Sequence, residues 1–300
     1  MILFNDRASN VLYDVLSNTA QKKFLLPLNV CPIVPDTFLK AKKEFIFIDI
    51  DMDTLCMDTD LIKSKLIEDN TIDGLLFVHT FGIDLDMHSF FKEIKNIKEN
   101  IFIIDDLCPS IQRFDYDIEK SYVDLALFSS GYSKFIDIGY GGYGFVKQER
   151  FGKTFMDYSK DKEFCIYKEK IISKIPDMKK HKKLLNSIYE EKIPKELHLG
   201  SRFNMWRFSI LIDNKEQVLK EIFKEEGLFA SSHYPQVDFN YVNNPAKNSN
   251  TKKIHDKIVN LFNDFRYDEE KAYKTAEIVS KYAKKDKNEH KKHKGTKISR

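Results

Sequence analysis

No apolar run in this sequence approaches the ~20 residues that a membrane-spanning helix needs, so no membrane insertion is expected. The opening residues, MILFNDRASNVLYDVL, lack a basic stretch followed by a long apolar core, so no secretory signal is expected either. Cysteine is scarce. The four thiols (Cys31, Cys56, Cys108, Cys165) show no CxxC spacing, which removes the common zinc and dithiol motifs. They read as reduced thiols of a cytoplasmic protein. Net charge is also small: 49 Lys and Arg against 46 Asp and Glu leave +3. A field that weak does not recruit nucleic acid. No internal repeat is present. What remains is bulk, 300 residues of which 42% are hydrophobic, enough for one large domain or two smaller ones.

The first half alternates between two kinds of pattern. Asn10 to Leu16 carries apolar residues at helical spacing, and FLLPLNV is a short strand-like run. VPDTFLKAKK reads as a helix with Asp36 near its N-cap, DTDLIKSKLIED as a second, and DMHSFFKEIKNIKEN as a third capped by Asp86. Between them EFIFIDID, IDGLLFVHTFG, IFIIDD and VDLALFSS are compact apolar runs of the kind that form buried strands. Strands alternating with helices predict an α/β domain with a mostly parallel central sheet flanked by helices. Right-handed crossovers would put the strand C-termini on one edge, where ligands bind. His79, Asp105, Asp106, Ser129 and Ser130 stand at those ends.

Beyond Val146 the pattern changes. Residues 150–195 are lysine-rich, with helical stretches broken by Pro176 and Pro194, and read as a helical connector closing a domain over 1–195. MWRFSILID and LFASSHYP read as strands, NKEQVLKEIFKEEG as a helix ending at Gly227, and YDEEKAYKTAEIVSKYA as a helix capped by Asp268. KIVNLFNDF fits either a strand or a helix. This predicts a small α+β domain over 196–284 and a basic, disordered tail over 285–300. That tail reads as solubilising.

One lysine stands apart. Lys134, in FSSGYSKFIDIGYGG, is the only basic residue between Lys120 and Lys147. A lone lysine in a turn is most often a solvated surface residue. Here, however, it follows a strand end and precedes a glycine pair. An amine, a carboxylate at a neighbouring strand end and hydroxyls beside a helix N-terminus are what pyridoxal phosphate requires of a protein. Lys134 supplies the amine, Asp106 the carboxylate and Ser129 a phosphate hydroxyl, while Ala8 and Ser9 open the first helix. Ser9 also reads as a simple N-cap, and Asp105 as the strand-end cap beside Asp106. His79 is either a satisfied strand-end histidine or a cofactor contact. Tyr234 is either a packing aromatic or part of a substrate cleft. The lysines of 160–195 are either a solvated face or a wall that attracts a nucleotide diphosphate.

The chain resembles the DegT/DnrJ/EryC1/StrS sugar aminotransferases, pyridoxal-phosphate enzymes of fold type I. ASNVLYDVL resembles their phosphate-end opening, and VHTFGIDLDM their Val-His-x-aromatic-Gly segment. IIDDLCPS resembles Ile-Glu-Asp-Ala-Ala-Gln, and the stretch around Lys134 resembles Ser-Phe-x-x-x-Lys with its following Gly-Gly. The resemblance implies that Lys134 forms the Schiff base, that Asp106 faces the pyridine nitrogen, and that Ser9 and Ser129 bind the phosphate. It implies transamination of a nucleotide-linked keto-sugar with a glutamate-like amino donor, in a homodimer, with surface polysaccharide biosynthesis as the setting. Departures are specific. The ring-stacking aromatic falls at Cys31, Pro109 stands where Gln or His is usual, and the Asn-x-Arg-Met segment is not recognisable. They motivate a second reading, a catalytically altered member that binds cofactor or nucleotide sugar as a regulatory or scaffold subunit.

Overall fold

The computed structural model describes residues 1–152 and 154–283, and its last helix is assigned as Glu269–Gly295. The basic tail expected over 285–300 lies outside the described residues. Two compact units divide the chain: Met1–Ile175 with Tyr234–Thr251, and Pro176–His233 with the chain from Lys252 onward.

In the first unit, β1 (Ile2–Asn5), α1 (Ala8–Ser17), β2 (Lys23–Pro27), α2 (Ile33–Lys40) and β3 (Glu44–Ile48) are followed by α3 (Thr59–Glu68) and β4 (Gly74–Val78). Then come α4 (His88–Ile97), β5 (Phe102–Asp106), β6 (Leu125–Ser129), β7 (Gly142–Val146), α5 (Gln148–Phe151) and α6 (Lys162–Ile172). The strands form one sheet in the order β1-β7-β6-β5-β4-β2-β3. Pairs from β3 through β6 are all parallel, while β7 runs antiparallel to both β6 and β1. The expected mostly parallel α/β sheet is therefore present. β4, β5, β6 and β7 are buried at every position, as strands with both faces covered must be. Val11, Leu12, Val15 and Leu16 of α1 pack on one side with Leu76, Ile104 and Leu127 of the sheet.

Strands β1 and β7 were not expected. GYGFV has two glycines and reads as a turn, yet it sits between β1 and β6 because both neighbours supply ladder partners. Register aligns Asn5, Gly142 and Ser129 in one row. That row lies at the C-terminal edge of the parallel strands. Gly142 is required there: a Cβ would stand 2.0 Å from the Ala8 nitrogen. Asp36 lies near the helix start as expected, with Pro32 at the cap position itself. α2 begins at Ile33 after Pro32, and Asp36 sits in its first turn, accepting a hydrogen bond from Tyr241 Oη at 2.7 Å. Asp86 stands one residue before the α4 cap, Met87, and accepts from the His88 N–H at 3.0 Å.

In the second unit, α7 (Ile175–Lys192) precedes β8 (Phe208–Leu211), α8 (Lys215–Ile222) and β9 (Ala230–Ser231). After α9 (Asn250–His255) come β10 (Ile258–Leu261) and α10 (Glu269–Gly295). The three strands form an antiparallel sheet, β8-β10-β9, so KIVNL is a strand. Pro176 follows a break in the helical run, as expected: α6 ends at Ile172 and α7 starts at Ile175. It lies in the first turn of α7, where its missing N–H costs nothing. Leu185, Ile188 and Tyr189 of α7 join Phe208, Ile210 and Val259 in this unit's core. The units consequently part at Ile175, earlier than the boundary at 195 drawn from the sequence.

Candidate active site

A cavity of about 410 Å³ opens at the C-terminal edge of the first unit's sheet, a size suited to a small-molecule site. Five kinds of segment feed it. β5 delivers Asp106, β6 delivers Ser129, and the loop after β6 delivers Lys134. The loop after β2 contributes Asn29 and Cys31, and the start of α1 contributes Ala8 and Ser9. Tyr234 also lines it, its ring 5.4 Å from that of Phe81. Residues separated by more than 200 positions in sequence thus meet at one site.

The loop that carries Lys134 is held on several sides. The Lys134 N–H donates to the Gly131 carbonyl at 3.4 Å. Ser133, just before it, has φ of 62°, the left-handed region that non-glycine residues seldom occupy. Asp137 holds that conformation by accepting from the Ser133 N–H at 2.9 Å and the Gly139 N–H at 3.0 Å. Ser130 donates its hydroxyl to the Tyr140 carbonyl at 2.7 Å and meets the Tyr167 hydroxyl at 2.7 Å. Gly141, with φ of 94°, closes the turn against the Tyr167 ring.

Asp106 is buried, and its Oδ1 accepts from the Cys108 N–H at 2.9 Å. Burial pushes its carboxyl above the usual range, while the Cys108 hydrogen bonds and the Lys134 charge pull it back. A carboxylate in that position gains from a cationic N–H offered by a ligand. At the other end, Arg7 precedes α1 without capping it through its side chain. First-turn N–H groups such as those of Ala8 and Ser9 have no intrahelical partner and face anions well. The Ser129 hydroxyl oxygen accepts from the Gly131 N–H at 3.3 Å.

His79 is not part of this cavity. Successive side chains of a strand face opposite sides, and Val78 points to the cavity while His79 lines a separate pocket beyond the sheet. There its Nε2 meets Asp105 Oδ1 at 2.9 Å and its Nδ1 meets the Ile83 carbonyl at 3.2 Å. Both partners are acceptors, so the ring satisfies them together only as an imidazolium. Burial alone would lower its pKa, but Asp105 and the Ile83 carbonyl more than offset this and the net shift is upward. Asp105 likewise belongs to that second pocket.

Sequence reasoning missed Asn29. Its Nδ2 donates to the Leu55 carbonyl at 2.8 Å, which fixes the amide, and its buried Oδ1 is left without a partner. The residue is a lone Asn past a strand, and its role depends on a loop distant in sequence. Gln112, which braces the lysine loop, was also missed. The residues present fit pyridoxal phosphate: an amine, a buried carboxylate, two hydroxyls and an uncapped helix start share one cavity. Among the described residues no group of three or more His, Cys, Asp or Glu is placed to hold a metal ion.

The sheet, its order and the edge that carries the cavity define the fold of pyridoxal-phosphate transferases of fold type I. Residues 36–158 match the sequence model of the DegT/DnrJ/EryC1/StrS aminotransferase family, which bears out the resemblance drawn from the motifs. Solved structures of aminotransferases share the fold. DesI, determined with its TDP-sugar product, superposes with a TM-score of 0.79 at 13% identity, over 98% of this chain and 83% of that one. PseC of Helicobacter pylori, an aminotransferase of pseudoaminic acid biosynthesis, gives 0.76 at 15% identity, over 94% and 86%. The sugar aminotransferase CalS13 of Micromonospora echinospora gives 0.73 at 12%, over 93% and 87%. No curated protein matches the chain in sequence. No described helix is long and apolar enough to cross a membrane.

Proposed function

We propose that this chain is a pyridoxal-phosphate-dependent aminotransferase that moves an amino group from a glutamate-like donor to a keto-sugar carried on a nucleotide. The observation that carries the reading is the convergence of Lys134, Asp106, Ser129 and the start of α1 on one cavity. When bound, the cofactor supplies an electron sink that lets a C–H bond beside an amine ionise. Lys134 is the residue that binds the cofactor's aldehyde carbon through Nζ. Once displaced by substrate, its amine holds and moves the proton at the reacting carbon. Asp106 holds a proton at the ring nitrogen. Ser9, Ser129 and the Ala8 and Ser9 N–H groups bind the phosphate. Cys31 and Tyr234 form part of the wall that a substrate meets. A homodimer in the cytoplasm is the setting that the family resemblance supports.

The test is direct. Purified protein given pyridoxal phosphate should show a band near ~420 nm, and borohydride should fix the adduct on Lys134. Glutamate should convert the bound cofactor to its pyridoxamine form. A colourless protein with no adduct refutes the reading. A second reading, a family member that binds cofactor or nucleotide sugar without turnover, draws on Cys31 and Pro109 lining the cavity in place of an aromatic and an amide. It is favoured if the adduct forms and no amino donor converts it.

A further inference from the structure

We propose that Gln112 is a positioning residue that sets where the Lys134 amine is held. The inference rests on Lys134 being the cofactor lysine. Gln112 is 2% exposed and stands outside both strands that flank the site. Its Nε2 donates to the Ser129 carbonyl at 2.6 Å and to the Ile136 carbonyl at 3.1 Å. Its Oε1 accepts from the Ile136 N–H at 3.2 Å. Both hydrogens of the amide nitrogen and one lone pair of the oxygen are therefore committed. The three partners bracket the lysine: Ser129 ends β6 before it, and Ile136 follows it. The carboxamide acts as an inserted peptide group joining two points of the backbone that do not pair with each other.

The physical case comes from what the loop would otherwise lack. A buried carbonyl or N–H without a partner is destabilising, and Gln112 satisfies three such groups at once. The chain between its anchors includes Ser133 in the left-handed region. That conformation persists only where surroundings over-determine it. Asp137 fixes the interior of the loop and Gln112 fixes its ends. Side-chain amines work in catalysis only when placed closely, and a misplacement near 1 Å can cost roughly a hundredfold in rate.

The test uses full-length protein and two variants. Gln112→Met keeps the volume and removes every hydrogen bond. Gln112→Glu keeps the shape, removes the donors at neutral pH, and regains one donor when its carboxyl is protonated. Two readouts apply to each: amide exchange at Ile136 without cofactor, corrected for intrinsic rates, and the rate at which pyridoxal phosphate adds to Lys134. For Gln112→Met we expect faster exchange at Ile136 and adduct formation slowed roughly tenfold or more, with the melting curve of the whole protein still cooperative. For Gln112→Glu, whose carboxylate still accepts from the Ile136 N–H but faces the Ser129 and Ile136 carbonyls without a donor, we expect adduct formation slower than the parent's at the same neutral pH and relief of that deficit on acidification. If Gln112→Met does not fold, the pH-dependent relief in Gln112→Glu decides. Parent-like exchange and adduct rates at all pH values would overturn the inference while leaving the functional reading intact. If the parent itself takes up no cofactor at Lys134, the functional reading fails, and the inference that Gln112 positions a cofactor lysine falls with it.

Discussion

Asp106 illustrates how burial sets the pH response of a single group. Its carboxyl is raised by burial, so ionising it costs the folded protein. A raised folded pKa means stability is lost as pH climbs past the unfolded value of 3.8, until a ligand cation compensates. Pyridoxal phosphate should therefore stabilise the parent more at neutral than at acidic pH. Asp106→Asn should abolish that difference and bind the cofactor about tenfold to a hundredfold more weakly, as loss of one charge-assisted hydrogen bond predicts. Thermal shifts with and without cofactor check both statements. His79 shows the same sign in a higher pH window. Its pKa is raised from 6.5, so its contribution is full below that value and fades as pH rises through the folded pKa. The stability gap between the parent and His79→Asn, measured by denaturant titration, should narrow as pH rises from about 6 to 9. A gap that widens with pH would contradict the imidazolium assignment.

At the scale of the element, the meeting of β7 with α1 shapes the helix start proposed to bind phosphate. Gly142→Ala would push a methyl into the Ala8 backbone, so either β7 or the start of α1 must move. We expect a loss of about 1–3 kcal/mol in stability and weakened binding of pyridoxal phosphate, with Gly131→Ala, whose Cβ would meet nothing nearer than 3.6 Å, as the tolerant control. Calorimetry and cofactor titration give both quantities. These elements differ in how openly the sequence displays them. GLLFV, LALFS and the FII of FIIDD are dense apolar runs because their strands are buried at every position, while EFIFI, at the edge of the sheet, is only partly buried. GYGFV was hidden because its glycines serve close approach rather than a turn. Lys134 and Asp106 were legible because a lone lysine and an acidic strand end stand out locally. Of the two readings open for His79, strand alternation selects the satisfied strand-end histidine. Asn29 and Gln112 carry no local pattern at all, since their partners are brought by tertiary folding.

The whole molecule has two cores, and the second holds a charge of its own. Lys182 is buried, donating to the Trp206 carbonyl at 2.9 Å and to Asn263 Oδ1 at 2.7 Å. Burial and the nearby Arg207 lower its pKa from 10.5 to about 7. Because the folded state binds fewer protons across that interval, stability should rise with pH from about 7 toward 10.5, by about 1.4 kcal/mol per pH unit at most. In Lys182→Met that slope should vanish, and a slope that persists would assign the effect elsewhere. The first core has a different peculiarity. It takes Val237 from a segment that returns after the chain has left the unit. Asp49 pins the end of that segment, accepting from the Asn250 N–H at 2.6 Å and the Thr251 N–H at 3.0 Å. On a ribosome, residues 1–175 would emerge first and wait. The cavity would lack Tyr234, and the first core would lack Val237, until that segment was translated, when most of the other core had already been made.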